Sequence, residues 1–99
     1  MAFVQIIEFR TSKLDEMRKL EDEWETAAGS ESTVRRVITG ADRDDAGRYL
    51  QVAFFDSYES AMENSNLPVT QEFSQKMMAL SDGPATFYNL DVVDDRQMA

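Results

Sequence analysis

Apolar residues along this chain change their period from two to three-and-four and back again. Ala2 to Arg10 (A-F-V-Q-I-I-E-F-R) is rich in Phe, Val and Ile and ends at Thr11-Ser12, as a strand leading into a helix would. From there Leu14, Met17, Leu20, Trp24, Ala27 and Ala28 recur at spacings of three and four, which places them on one side of a helix. Asp15, Lys19, Asp22, Glu23 and Glu25 occupy the other side. The pattern predicts an amphipathic surface helix over 13–28, ended by Gly29. Ser12 is its expected N-cap, with Asp15 and Glu16 suited to the positive end of the helix dipole.

Thr33 to Thr39 (T-V-R-R-V-I-T) is β-branched enough for a second strand, and Tyr49 to Phe55 reads as a third. The polar, turn-rich stretch Gly40 to Gly47 between them predicts an antiparallel hairpin with an Asp-rich tip. Asp56-Ser57 offers the next helix cap, before about two turns from Tyr58 to Asn64. Ser65-Asn66-Leu67-Pro68 resets the chain, because Pro is tolerated at a helix start and nowhere deeper. Val69, Phe73, Met77 and Leu80 then fall at helical spacing until Ser81-Asp82-Gly83-Pro84 stops them. Thr86 to Val93 (T-F-Y-N-L-D-V-V) is the last strand, and the polar tail Asp94 to Ala99 is expected to fray.

The order β-α-β-β-α-β, with its second helix broken at Pro68, is the ferredoxin-like plan of the α+β class. Residues 1–99 therefore form one domain, a four-stranded antiparallel sheet packed against helices on one face. The other face is informative. In the third strand both alternating sets, Leu50-Val52-Phe54 and Tyr49-Gln51-Ala53-Phe55, are largely apolar, whereas a solvated face would be polar. An uncovered sheet carrying Phe55, Phe87 and one apolar set of the first strand would be a large sticky patch for a monomer, so two subunits are expected to bury these faces together.

Composition removes many alternatives. The 99 residues hold 19 Asp+Glu against 10 Lys+Arg, a formal charge of −9, with no Cys and no His. No disulfide, thiolate nucleophile, zinc–thiolate site, histidine triad or two-His metal site can be built from this set. The cations are scattered, with Arg35-Arg36 the densest pair, which speaks against nucleic acid and anionic membrane as partners. No apolar run approaches the ~20 residues that span a bilayer, and Met-Ala-Phe-Val-Gln lacks the features of a signal peptide, so the expected location is the cytoplasm. A domain of this size buries only about 65% of the surface its unfolded chain exposes, which leaves stability limited and a partner subunit useful.

The stretch from Phe54 through Pro68 (F-F-D-S-Y-E-S-A-M-E-N-S-N-L-P), followed by Gln71-Glu72-Phe73 and the closing F-Y-N-L-D-V-V strand, resembles the antibiotic-biosynthesis monooxygenase-like family of dimeric α/β barrels. The resemblance runs from the first strand through Val93. It implies a homodimer whose sheets close into a barrel, with a pocket in each subunit between sheet and helices. Relatives include cofactor-independent oxygenases of polycyclic phenols and haem-degrading enzymes, alongside many members without an established activity. The haem-degrading relatives rely on a histidine ligand on the helix after the hairpin and a nearby tryptophan; Tyr58 to Leu80 contains neither. The implied chemistry is thus cofactor-free oxidation or rearrangement of a small aromatic or polyketide-like compound. The alternative is a non-catalytic small-molecule binder or structural dimer, and whether the chain is an enzyme stays open at this point.

Trp24, Met17, Phe73 and Met77 lie on the apolar helix stripes and are the expected pocket lining. Trp24 could stack on a flat ligand and donate its N–H, although core packing is the commoner use of such a residue. Glu21 sits at the margin of the first helix's stripe, where desolvation would raise its pKa; the plainer reading is a boundary residue paired with a neighbour such as Arg18. Asn64 and Asn66 flank the helix break, and either amide could hold an oxyanion, but Asn66 is also a natural cap before Pro68. Glu21, Asn64 and Asn66 are therefore the catalytic candidates. Gln5, Arg36 and the tyrosines are explained equally by ordinary packing, and Asp42-Arg43-Asp44-Asp45 lacks the D-x-D-x-D-G frame of a calcium loop. No cofactor or metal is expected.

Overall fold

The computed structural model describes residues 2–99. Its elements are β1 (Phe3–Arg10), α1 (Leu14–Ala28), β2 (Arg36–Ala41), β3 (Arg48–Phe55), α2 (Tyr58–Asn66), α3 (Pro68–Leu80) and β4 (Thr86–Asp91), with a short 3-10 turn at Gly29–Glu31. The strands form one antiparallel sheet in the order β2-β3-β1-β4, the ferredoxin-like arrangement. The expected second helix is two helices, because Pro68 has no N–H to continue the α2 ladder and holds its predecessor Leu67 extended, at φ −63° and ψ 132°. Pro68 then stands in the first turn of α3, where a missing N–H costs nothing.

Register decides which side chains meet the helices. Phe3 pairs with Phe55, Gln5 with Ala53, Ile7 with Gln51 and Phe9 with Tyr49, so these residues share one face, joined by Phe87 and Asn89 of β4. Phe3, Ala53 and Phe55 cluster there with Ala61 of α2, all buried. The Phe3 ring lies 6.4 Å from Phe55 and 5.5 Å, edge-on, from Tyr58. This corrects the expectation that Phe55 and Phe87 belong to the uncovered face. That face carries the other set instead, with Val4, Ile6, Leu50, Val52 and Phe54 at its centre and Ile38, Tyr88 and Leu90 around them. The last three are 42%, 44% and 48% exposed. One end of the patch is closed by polar groups, where Arg48 contacts Glu8 at 3.2 Å and Asp42 at 2.8 Å and the Tyr88 hydroxyl donates to Glu8.

Other departures concern caps and strand ends. Ser12 does not cap α1; the buried Thr11 accepts from the Lys13 N–H at 2.9 Å and donates its hydroxyl to the Leu80 carbonyl at 2.8 Å. The burial that makes Thr11 useful is a property of the tertiary fold, and nothing local distinguishes it from Ser12. Asn66 is the last residue of α2 and makes no cap for α3, whose N-cap is Leu67. Ser57 caps α2 as expected, in a reciprocal pair with Ser60 at 3.1 Å in each direction. β2 is shifted toward the hairpin, since Gly40 and Ala41 still pair with Leu50 and Tyr49. After β4 the Val92 N–H reaches the Ala2 carbonyl, and residues 94–99 are exposed and outside any regular element. Among the described residues no helix is long and apolar enough to cross a membrane.

Thr11 links the start of α1 to the end of α3, so a Thr11→Val variant loses both bonds while keeping the volume. The expected cost is about 1–2 kcal/mol in urea denaturation; an unchanged midpoint would contradict it.

Candidate functional site

Between the helix layer and the sheet lies a pocket of about 400 Å³. Its floor is the helix-facing side of β1 and β3, through Gln5, Ile7, Gln51, Ala53 and Phe55; α1 supplies Glu21 and Trp24, α2 Asn64, α3 Thr70 and Phe73, and β4 the exposed ring of Phe87. Trp24 and Phe73 stand 5.9 Å apart on facing helices. The Trp24 indole N–H donates to Thr70 at 2.9 Å, so that donor is already engaged within the protein. Aromatic side chains thus bound the pocket on three sides, a setting suited to a flat ligand.

Two polar groups interrupt this lining. Glu21, half-buried on α1, accepts a hydrogen bond from Gln51 Nε2 at 3.0 Å through its Oε1. Gln51 is itself buried and lies 3.4 Å from the Thr39 hydroxyl. Among the described residues Oε2 of Glu21 has no partner and no cation pairs with it. Burial pushes the Glu21 carboxyl above its ordinary value, Asp22 and Glu25 repel it in the same direction, and Arg18 opposes them. Asn64, 7% exposed and part of the pocket lining, accepts a long hydrogen bond of 3.5 Å from Ser32 at Oδ1, and among the described residues its NH₂ has no acceptor.

The two groups have opposite uses. A carboxylate with one oxygen anchored and the other free can take up a proton, and a buried amide with a free NH₂ can donate to a developing oxyanion. Glu21 also carries a stability signature. Because its folded pKa is raised, the folded state binds the proton more tightly, and stability falls as pH climbs through the window above the ordinary carboxylate value. Glu21→Gln removes that cost and keeps an acceptor for Gln51. Its Tm at pH 7 should rise, with an effect held by water screening to about 0.5 kcal/mol, or ~2–4 °C. The gain should vanish near pH 4, and a lower Tm at pH 7 would contradict the assignment.

Of the residues expected from sequence, Glu21, Trp24, Asn64 and Phe73 come together around this pocket. Met17 is buried at 2% exposure in the core and Met77 is half-buried, and neither lines the pocket; Asn66 is exposed and outside it. Gln51, Thr39 and Thr70 also line or support the pocket and are not among the residues the sequence predicts for it. The legible signal for Gln51 was a lone amide amid Tyr49, Ala53 and Phe55 on one strand face; the two threonines give none. Among the described residues no three metal-ligating side chains cluster. A wider groove of about 760 Å³ runs between α1 and β2 and meets the pocket at Glu21, Trp24, Val34 and Val37.

The architecture is that of the antibiotic-biosynthesis monooxygenase-like fold. One solved structure that shares it is a variant of SnoaB, a cofactor-independent oxygenase from Streptomyces nogalater, with a TM-score of 0.80 and 12% identity over 95% of each chain. Rv0793 from Mycobacterium tuberculosis superposes with a TM-score of 0.78 and 17% identity, over 98% of this chain and 100% of its own. A candidate antibiotic biosynthesis monooxygenase from Caulobacter crescentus CB15 gives 0.79 and 11%, covering 94% and 91%. No protein-family model and no curated protein sequence matches the chain.

Proposed function

We propose that the protein is a cytoplasmic homodimer that oxidises or rearranges a small aromatic or polyketide-like compound without a cofactor. The observation that carries this reading is the pocket itself, aromatic-walled and lined by a carboxylate and an amide that each keep a polar atom without a partner among the described residues. SnoaB, a cofactor-independent oxygenase with the same fold, supports it. The chemistry needs little from the protein. Conversion of an activated methylene to a carbonyl consumes one O₂ and releases one water, with the substrate supplying all four electrons. The pocket has to hold the substrate, accept a proton and stabilise the enolate-like anion, and the amide of Asn64 is our candidate for the last of these.

The uncovered sheet face supports the dimer. It presents contiguous apolar side chains to water, with Ile38, Tyr88 and Leu90 nearly half exposed around its centre, and its polar groups sit at one end as a rim. A second copy matches it by symmetry.

Oxygen consumption with 1,8-dihydroxyanthrone tests the activity. A rate above that of buffer, saturating in substrate, is expected; a rate equal to buffer overturns the oxygenase reading. A second reading, a binder without chemistry, is favoured by the fact that every fully buried side-chain polar atom among the described residues has a hydrogen-bond partner. Saturable binding with no oxygen uptake would select it.

A further inference from the structure

We propose that Glu21 is the general base of the pocket, taking a proton from a weakly acidic C–H or O–H of a flat, uncharged substrate, and that Gln51 positions it. The substrate class rests on the oxygenase reading above; the assignment of the base rests on geometry. Among the described residues Glu21 is the one carboxylate in the pocket lining, and it stands where the pocket opens into the groove between α1 and β2. Its Oε1 is fixed by Gln51, a buried amide on a central strand that is steadied in turn by Thr39. Its Oε2 is free. A side chain held by one oxygen keeps its orientation while the other oxygen reacts, which is the arrangement a base needs.

The surrounding charges are few. On its own helix Arg18, Asp22 and Glu25 flank Glu21, and the acidic pair outweighs the single cation. Across the groove, Arg35 is committed to Asp56 at 2.7 Å, and Arg36 lies over the Phe54 ring on the opposite sheet face. β1, β3, β4 and α3 bring only neutral side chains to the pocket lining, Gln5, Gln51, Phe87, Thr70 and Phe73 among them. Among the described residues no cation forms an ion pair with the carboxylate, and partial burial outweighs the pull of Arg18.

The step is a simple proton transfer. A bond forms between Glu21 Oε2 and hydrogen as the substrate C–H or O–H bond breaks, the electron pair stays on the substrate, and the carboxyl becomes neutral. Bulk water recovers the proton through the groove. The pocket leaves Asn64 to donate to the oxygen on which the charge accumulates.

A purely structural Glu21–Gln51 tie would hold α1 to the sheet and leave proton transfer unchanged, so the test reads proton transfer directly. Exchange of the methylene protons of 1,8-dihydroxyanthrone is followed by NMR in deuterated buffer under nitrogen. The protein should accelerate exchange at least ~100-fold over buffer, with a rate that rises with pH through one ionisation above the ordinary Glu value of about 4.3. Glu21→Gln should fall to the buffer rate at every pH while still binding the anthrone, read by quenching of Trp24 fluorescence. Gln51→Leu should keep measurable exchange with a displaced pH profile. Exchange by Glu21→Gln equal to the parent overturns the proposal, and so does a parent that exchanges no faster than buffer. Fast exchange without oxygen uptake would sink the oxygenase reading and leave the base in place; oxygen uptake that survives Glu21→Gln would do the reverse.

Discussion

Leu90→Asp is expected to turn the protein from a dimer into a monomer in sedimentation velocity at micromolar concentration, weakening self-association at least ~100-fold. Leu90 lies on the sheet face that no helix covers and is 48% exposed in the isolated chain, opposite Val4 in the β1–β4 register. Within one subunit the new carboxylate stays in water, so circular dichroism and the unfolding midpoint of the monomer should change little. In a two-fold interface the substitution occurs twice, and each carboxylate taken out of water against Val4, Ile6 and Val52 costs several kcal/mol, far more than the ~2.7 kcal/mol that a 100-fold loss requires. Ile38→Asp, at the other side of the same face, should act alike. A parent chain that is already monomeric, or a variant that stays dimeric, would contradict this use of the face.

Phe3→Ala should be the most damaging single truncation in the core, at about 3–4 kcal/mol. The ring is 3% exposed and fills the space between Phe55, Tyr58 and the small Ala61, where the surrounding β3 and α2 backbone is fixed by the sheet and by the Ser57 cap. Collapse into the cavity is therefore restricted. For a domain of about 100 residues the loss corresponds to a Tm decrease of roughly 15 °C or more. Urea denaturation at pH 7 gives the number directly. A cost below ~1 kcal/mol would mean that Phe3 faces solvent and that the face assignment is reversed.

The elements were legible in the sequence because their signals are local. The spacing of Leu14, Met17, Leu20 and Trp24, the Ser57 cap and the break at Pro68 each act within a few residues, and each appears in the fold at its expected place. The choice of sheet face was not legible. Leu50-Val52-Phe54 and Ala53-Phe55 are both apolar, and only pairing with Phe3 and packing on Ala61 selects the second set for the core. The pocket was legible in part for the same reason. Helical angle put Trp24, Phe73 and Glu21 on inward or marginal positions, but it also put Met17 and Met77 there, and depth between layers, which separates core from pocket, has no one-dimensional signature. Gln51 anchors Glu21 from 30 positions away, across a strand and a helix, so its role exists only once the layers have closed.

The most direct test of the account uses the single tryptophan of the chain. Trp24 lines the pocket, so titration with 1,8-dihydroxyanthrone should quench its fluorescence along a saturable curve with one site per subunit, and Ala53→Phe, which fills the pocket floor from β3, should abolish that curve while circular dichroism is retained. Quenching that never saturates, or that is the same in the parent and in Ala53→Phe, would contradict a ligand site between the helices and the sheet.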